Sequence, residues 1–261
     1  MNVIRLAKDT VYFIWNVITF GKGVTRTIDD FVIRFPPKWS RYFEAEYEKE
    51  NVAFMKAYCK NGMTVLDVGA HLGLLSVIAG KLVAPGGKVF SFEPTPSTFS
   101  VLNTIIGINS LSGIVTPIHA AVSEENTEAD FMLDAHPGSN ANSLVKRADK
   151  ERNVVRVKVV TLDSIVKKHQ IARVHFIKID AEGTELSVLR GAASLIDRDR
   201  PIIILAIHPF LIRANNQKLE DIYSLLQGWR YSILHYGTPM EQQAFCTYPD
   251  FFDVHLLPSS A

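Results

Sequence analysis

The stretch TVLDVGAHLGLLSVIAG, residues 64–80, decides the fold, because it joins an apolar strand to a second apolar segment through a short polar turn. Asp67, Gly69, His71 and Gly73 lie at that junction. A segment that only packs has little reason to place an acid, a histidine and two glycines at the end of a buried element. The stretch therefore predicts a strand–turn–helix unit whose turn binds a ligand.

The chain from residue 63 onwards repeats this alternation, which is typical of a parallel sheet covered by helices on both faces. Apolar, β-rich runs predict seven strands, at 63–68, 88–93, 113–120, 174–180, 201–207, 230–236 and 253–258. Apolar residues at helical spacing predict helices over 74–83, 97–108, 185–195 and 219–226. We therefore expect an α/β fold with a seven-stranded, mostly parallel sheet.

Two regions depart from the alternation. Residues 1–62 form an N-terminal helical and β extension ahead of the domain at 63–261, with a helix predicted through Tyr58. Residues 121–172 form a β-rich insertion between the third and fourth core strands, in which ADFMLD and VVRVKVV predict extra strands. We expect the polar loop HPGSNANS (136–143) inside this insertion to fold over a site.

The composition is that of an ordinary globular protein, with 47% hydrophobic and 21% charged residues among 261. A net charge of +1 provides no basic field for a phosphate backbone, so we do not expect a nucleic-acid partner. Cys59 and Cys246 form neither a CxxC pair nor a metal cluster, and such sparse use favours a reducing, cytoplasmic compartment.

An apolar run, VYFIWNVITF at 11–20, needs separate treatment. It is much shorter than the roughly 20 residues of a membrane-crossing helix, and no secretory cleavage site of small residues follows it. We expect a helix that packs on the domain or lies on a membrane surface, so that residues 1–20 are a candidate peripheral membrane contact.

The glycine turn does not fit the common nucleotide motifs, since its D-x-G-x-x-x-G spacing is neither a dinucleotide fingerprint nor a phosphate loop. An acid beside the turn suits a positively charged amino-acid group better than a pyrophosphate. Glu93 ends the next strand, where an acid typically accepts hydrogen bonds from ribose hydroxyls. A nucleoside joined to a cationic amino-acid tail is S-adenosylmethionine, the cofactor we expect. The alternative is a junction capped by Asp67, with Glu93 only solvated.

Six motifs resemble those of FkbM-family methyltransferases: VLDVGAHLGLLSV, VFSFEPTPSTFSVL, AAVSEEN, VTLDSIV, IKIDAEGTELSVLRGA and RPIIILAI, in this order over about 60–208. The resemblance implies a class I, Rossmann-like methyltransferase that uses S-adenosylmethionine to methylate a hydroxyl of a glycan, glycolipid or small metabolite. Its motifs imply cofactor contacts from Asp67, Gly69, Ala70, His71, Gly73, Glu93, Pro94 and Ala121. The chain departs from the family at two places. The family often has Asn at the position of His71, and it often has Glu near the strand end at 206–208.

The predicted catalytic residues are Asp180, Lys178 and His208. Lys178 and Asp180 are two apart on a strand, so they face the same side, with Asp180 at the carboxyl end. Because a sulfonium methyl group is already activated, the enzyme must mainly align the acceptor and remove its proton. Asp180 is the expected base or orienting group, and Lys178 would pair with it. His208 is the alternative base. Lys178 and Asp180 could instead form an ion pair that only neutralises buried charge.

Glu182 and Glu185 open the next helix and are predicted substrate contacts, although acids there also simply stabilise a helix dipole. One Asp and one His are too few ligands to predict a metal. Further acceptor contacts are expected from KWSRYF (38–43), the 136–143 loop and the segment after His208. The alternative functions are N-methylation on the same fold and nucleotide binding without methylation.

Overall fold

A computed structural model describes Tyr12, Trp15 and residues 21–134, 142–145 and 153–259. The rest of the predicted helix at 11–20, and residues 136–141 of the predicted loop, lie outside the described residues, so both stay predictions. No helix in the described ranges is both long and apolar enough to cross a membrane.

The secondary structure agrees with the predicted alternation. The strands are β1 (Val24–Ile28), β2 (Phe31–Phe35), β3 (Thr64–Val68), β4 (Lys88–Phe92), β5 (Val115–Ile118), β6 (Ala121–Val122), β7 (Thr127–Leu133), β8 (Asn153–Val160), β9 (Phe176–Ile179), β10 (Ile202–Ile207), β11 (Tyr231–His235), β12 (Thr238–Pro239) and β13 (Phe252–Pro258). The α-helices are α1 (Lys49–Tyr58), α2 (Leu74–Val83), α3 (Pro96–Ile108), α4 (Leu162–Lys168), α5 (Glu185–Arg190), α6 (Ala193–Asp199), α7 (Pro209–Ala214), α8 (Leu219–Gly228) and α9 (Gln242–Thr247).

The strands of the central sheet follow the order β12-β11-β13-β10-β9-β3-β4-β5. Neighbours from β10 to β5 pair in parallel, whereas β13 pairs antiparallel with β10 and with β11. The two residues of β12 only extend one edge, so the seven predicted strands make up the rest of the sheet. The α/β fold with a mostly parallel sheet is confirmed.

Hydrophobic cores cover both faces of this sheet, because side chains alternate along each strand. Leu66 and Val68 of β3 pack in one core, and Val65 packs in the other. In β9, Ile177 packs in the same core as Leu66, and Phe176 packs in the same core as Val65. With both faces covered, the carboxyl ends of the parallel strands are the edge at which loops can bind a ligand.

The insertion after β5 forms a second sheet in the order β6-β8-β7. β7 and β8 pair antiparallel along their whole length, which confirms the two extra strands predicted there. Ala121, Phe131, Val157 and Val159 form the small core of this sheet. The insertion is therefore a packed unit that begins with β6, three residues after β5 ends.

The described part of the N-terminal extension packs against the sheet domain. Ile33 and Phe35 of β2 share a core with Ile78 of α2. The ring centroids of Tyr42 and His71 lie 5.4 Å apart, so the segment between β2 and α1 touches the turn that follows β3. The extension thus borders the region where the sequence predicts the cofactor.

The helix predicted over 185–195 is instead two short helices, α5 and α6, with a break at Gly191 and Ala192. A Cβ on Gly191 would lie 2.1 Å from the carbonyl oxygen of Ser123, so the chain passes too close there for a larger residue. The carboxylate of Asp163 accepts hydrogen bonds from the backbone N–H groups of Ser194 and Leu195, at 3.1 and 2.8 Å. This contact from outside the helix caps α6 and explains the break. The apolar spacing of the sequence runs through both helices and so does not reveal it.

Gly69 brings the turn after β3 against the end of β9. Its φ is +74°, a conformation that L side chains rarely adopt, and a Cβ there would lie 1.9 Å from the carbonyl oxygen of Asp180. The strand ends meet this closely because the N–H of Asp180 donates a 3.1 Å hydrogen bond to the carbonyl of Val68. Gly69 is therefore required by backbone geometry as well as by any ligand.

Gly69→Ala should lower the free energy of unfolding on the order of 2–5 kcal/mol, through the left-handed backbone and the overlap with Asp180. Gly62→Ala is the matched control, because Gly62 has φ +83° but no atom within 4 Å of a built Cβ. It should cost only the backbone strain, roughly 1–2 kcal/mol. Urea unfolding measures both, and equal losses would contradict the close approach to Asp180.

Candidate active site

A cleft opens at the carboxyl ends of β3, β4 and β9, and it encloses about 600 Å³ including its open mouth. Seven of the predicted site residues line it: Gly69, His71, Glu93, Pro94, Ala121, Asp180 and Glu182. Thr95, Phe131, Asn142 and Leu144 also line it and were not predicted individually, although Asn142 belongs to the predicted loop. We call this space the main cleft.

Glu93 joins two loops at the floor of the main cleft. Its Oε2 accepts a 3.0 Å hydrogen bond from the backbone N–H of His71, and its Oε1 accepts one of 2.8 Å from that of Thr95. Burial raises the pKa of Glu93 to about 7, although these two N–H groups oppose the rise. The hydroxyl of Thr95 also donates to this carboxylate, which has about four lone-pair sites and so keeps some acceptor capacity. Glu93 can therefore accept further hydrogen bonds from a ligand without moving.

Asp67 lies beneath the turn and does not line the main cleft. The residue is 1% exposed, and its Oδ2 accepts a 2.5 Å hydrogen bond from the hydroxyl of Ser76. Gly73 is also away from the main cleft, since a Cβ there would meet the side chain of Leu102 at 2.4 Å. The geometry gives both residues supporting positions under the turn, and their direct contact with a cofactor stays a prediction.

Lys178 lies at the centre of the buried charges. Its Nζ donates a 3.0 Å hydrogen bond to the carbonyl of Gly69, and it lies 3.4 Å from Oδ2 of Asp180 and 3.9 Å from Oδ1 of Asp67. Burial alone would lower the pKa of Lys178, but the charges of Asp180, Asp67 and Glu48 raise it above its usual value. The ammonium group therefore stays charged and positions Asp180 beside the turn.

His208 stands beside Asp180 because β9 and β10 are adjacent parallel strands. Its Nε2 lies 3.6 Å from Oδ1 of Asp180 and 3.6 Å from Oε1 of Glu182. Its Nδ1 lies 2.8 Å from Oε1 of Glu185, and as Nδ1–H it donates a hydrogen bond to that oxygen. The sequence-based expectation that His208 lies near Asp180 therefore agrees with the geometry.

Glu185 does not have the surface position expected of a substrate contact. The residue is 0% exposed, and besides His208 it accepts a 3.0 Å hydrogen bond from the backbone N–H of Gly183. Glu185 is thus placed to orient the imidazole of His208, and its predicted contact with the substrate stays a prediction. Nothing in the spacing of Glu182 and Glu185 reveals that the first lines the cleft while the second is buried.

The acids around His208 set its charge. Burial alone would lower the pKa of His208, but the hydrogen bond to Glu185 and the charges of Glu185, Asp180 and Glu182 raise it to about 9. Burial alone would also raise the pKa of Asp180, but Lys178 and His208 hold it below its usual value. At neutral pH the site therefore contains an ionised Asp180 beside a protonated His208.

Asp180, Glu182 and His208 offer potential metal-ligand atoms within 4.8 Å of one another. The sequence predicts no metal because Asp180 and His208 alone are too few ligands, and the geometry adds Glu182 as a third candidate ligand. Only a neutral imidazole can bind a metal, so His208 would first have to lose its proton. Asp180, Glu182 and His208 thus form a compact cluster of two acids and one cation.

A second cavity lies on the other side of the turn, and its walls include Phe43, Tyr47, Glu48, Ala70 and Lys178. Phe43 belongs to the 38–43 segment in which acceptor contacts were predicted. Glu48 was not predicted, because the sequence EAEYEKE resembles the charged, solvated start of a helix. The second cavity shares Gly69, His71 and Asp180 with the main cleft, so the two spaces meet at the turn.

Comparisons with known proteins identify methyltransferases similar to this chain. The family described as the methyltransferase FkbM domain matches residues 67–233. Hexuronic acid methyltransferase AglP of Haloferax volcanii is 26% identical over 142 residues, which are 54% of this chain and 54% of that protein, so the match spans about half of its length. The 31-O-demethyl-FK506 methyltransferase FkbM of Streptomyces tacrolimicus is 24% identical over 233 residues, with 76% of this chain and 85% of that protein covered.

Among solved structures, methyltransferase FkbM from Methylobacillus flagellatus aligns with a TM-score of 0.50 and 18% identity. The alignment covers 75% of this chain and 43% of that one. At this identity the likeness shows a shared fold.

The buried contact with Glu185 gives a direct prediction for His208. Glu185→Gln should lower the pKa of His208 from about 9, because it removes the carboxylate that stabilises the charged imidazole. A titration of the imidazole nitrogens by NMR measures this pKa, with His208→Gln used for assignment. An unchanged pKa in Glu185→Gln would contradict the proposed cause of the rise.

The same group makes stability depend on pH. Folding raises the pKa of His208 from 6.5 to about 9, so its stabilisation is fully present below about pH 6.5 and is lost as the pH rises through 9. His208→Gln should therefore cost more at pH 6 than at pH 10, by roughly 2–3 kcal/mol. Urea unfolding at both pH values measures the difference, and a cost independent of pH would show that His208 is not held in its charged form.

Proposed function

This chain belongs to the FkbM methyltransferase family, and we propose that it transfers a methyl group from S-adenosylmethionine to a hydroxyl of a glycan, glycolipid or small metabolite. The observation that carries the proposal is a pair of acids in one cleft. Glu93 is fixed at the end of β4, and Asp180 lies at the end of β9. The turn at Gly69 and His71 lies in the same cleft, so one elongated ligand can contact Glu93, Asp180 and the turn.

The residues of the main cleft fit the cofactor. Glu93 keeps acceptor capacity that faces the cleft, where a ribose hydroxyl can donate to it, and Ala121 contributes an apolar wall on which an adenine can pack. Asp180 Oδ1 is buried without a hydrogen-bond partner among the described residues, so a polar or cationic group of a ligand can satisfy it. When bound, S-adenosylmethionine supplies a methyl group activated by a sulfonium.

Asp180 is the base in this proposal. The sulfonium of a bound S-adenosylmethionine would supply the methyl group to the hydroxyl oxygen of the acceptor, and the electron pair of the carbon–sulfur bond would remain on sulfur. The hydroxyl proton passes to the carboxylate of Asp180. Lys178 keeps this carboxylate ionised and aimed at the cleft. The supporting observation is the 3.4 Å ion pair between Lys178 and Asp180, which holds the pKa of Asp180 below its usual value.

His208 orients the acids in this proposal. With a pKa of about 9 it carries a proton at neutral pH, and a protonated imidazole cannot accept another. Its cation lies 3.6 Å from both Asp180 and Glu182, so it reduces their mutual repulsion and fixes their positions. The assignment of Asp180 as base follows from this difference in charge.

The acceptor is expected to be uncharged where it meets the site. Asp180, Glu182 and Glu185 place three carboxyl groups around a single imidazole, so an acidic group of an acceptor would be repelled there. The name of the Streptomyces tacrolimicus relative specifies an O-methyl position, which favours oxygen as the acceptor atom. N-methylation remains the second candidate, because the same acids would also orient an amine.

S-adenosylhomocysteine should raise the melting temperature of the protein, because a ligand that binds only the native state stabilises it. NAD should leave it unchanged. Glu93→Gln should weaken S-adenosylhomocysteine binding by roughly 1–3 kcal/mol, through the loss of charge-assisted hydrogen bonds. Glu128→Gln is the control, since that acid is 69% exposed and pairs with Arg156. Stabilisation by NAD with none by S-adenosylhomocysteine would reject the methyltransferase and favour the non-methylating alternative.

Asp180→Asn should reduce turnover roughly 10²–10⁴-fold, because the amide cannot accept the proton. The acceptor is first identified by transfer of a labelled methyl group from S-adenosylmethionine to fractionated cell extract. At saturating S-adenosylmethionine the wild-type rate should be nearly independent of pH between 6 and 8, since Asp180 is ionised throughout that range. A rate that rises towards pH 9 and persists in Asp180→Asn would identify His208 as the base.

A further inference from the structure

The second cavity takes no part in the reaction proposed for the main cleft. It lies between the turn after β3 and the segment that precedes α1, and it is lined by Phe43, Tyr47 and Glu48 on one side and by Lys178 and Asp180 on the other. It meets the main cleft at Gly69, His71 and Asp180. A ligand that passes the turn can therefore occupy both spaces.

The direction of the cofactor follows from the proposed function, on which this inference rests. Glu93 receives the ribose, and Asp180 faces the transferred methyl group. The methionyl part is attached to the same sulfur and must continue beyond the nucleoside. The space on that side of the turn is the second cavity, so the amino-acid end of the cofactor is expected to reach it.

The charges around this cavity favour a cation. Lys178 lies in its wall with a charged ammonium, and its Nζ is already occupied by the carbonyl of Gly69 and the carboxylates of Asp180 and Asp67. Glu48 is an additional acid in the wall, so the carboxyl groups outnumber the ammonium. The surplus negative charge suits the α-ammonium of an amino acid.

Glu48 is held in place by a buried network. Its Oε2 accepts a 3.2 Å hydrogen bond from Nδ2 of Asn51, which also donates to Oδ2 of Asp253 at 3.0 Å. Oδ1 of Asn51 lies 2.9 Å from Nε2 of His255, which fixes the direction of the amide. Glu48 also has φ +51°, a conformation that is costly for a residue with a side chain. The chain thus directs this acid towards the cavity at some cost in stability.

We infer that Glu48 binds the α-ammonium group of the cofactor, so that the segment preceding α1 completes the cofactor site. The aromatic side chains of Phe43 and Tyr47, whose ring centroids lie 5.0 Å apart, cover the methylene groups of the same tail. Burial raises the pKa of Glu48 to about 7, with Lys178 opposing the rise, so an adjacent cation would favour its charged form. The N-terminal extension then has a function that the glycine turn alone cannot supply.

The test compares two ligands that differ only in this tail. S-adenosylhomocysteine carries the amino acid, whereas 5′-methylthioadenosine keeps the nucleoside and the sulfur. Calorimetric titration should show that Glu48→Gln weakens S-adenosylhomocysteine at least 10-fold and changes 5′-methylthioadenosine less than 2-fold. Glu46→Gln is the matched control, because its acid is 74% exposed and pairs with Lys49, and it should change neither affinity.

Equal weakening of both ligands, or no weakening of either, would overturn the assignment of Glu48. A second measurement protects the test if Glu48→Gln folds poorly: the wild type should bind S-adenosylhomocysteine at least 10-fold more tightly than its deaminated analogue. Equal affinity for those two ligands would also overturn the assignment. If the wild type binds neither S-adenosylhomocysteine nor 5′-methylthioadenosine, the proposed function itself is rejected.

Discussion

The buried ammonium of Lys178 is the interaction on which the geometry of the site depends. It donates to the carbonyl of Gly69 and lies within 4 Å of the carboxylates of Asp180 and Asp67, so one cation joins the turn after β3 to the end of β9. Removing one member of a buried ion pair typically costs about 3–5 kcal/mol, because the remaining charge is left without a partner. The close approach of Gly69 to Asp180 and the low pKa of Asp180 are both consistent with this arrangement.

The remainder of the site carries more acids than cations, and this imbalance connects its parts. Glu182 and Glu185 surround His208 and keep it protonated, while Glu48 adds a further acid on the far side of the turn. A donor with a sulfonium, an ammonium and a carboxylate group carries a net charge of +1, so the imbalance suits such a ligand. The same imbalance disfavours an anionic acceptor, which agrees with a neutral hydroxyl as the methylated group.

The sequence predicts those features that depend on local patterns. Alternating strands and helices predict the sheet, and the position of Glu93 at a strand end identifies an acid that the structure places in the main cleft. Residues whose role depends on distant contacts are not predictable in this way. Glu185 follows Glu182 by three residues, yet only the packing of α5 against β10 shows that it lies behind His208. Glu48 is concealed for the same reason, since its partners Asn51 and Asp253 are brought together by the fold.

The most direct test of the central claim is a crystal structure of the protein grown with S-adenosylhomocysteine. Both ribose hydroxyls should lie within hydrogen-bond distance of the Glu93 carboxylate, with the sulfur facing Asp180 across the main cleft. A ligand bound with its ribose away from Glu93, or with its sulfur turned away from Asp180, would contradict the account.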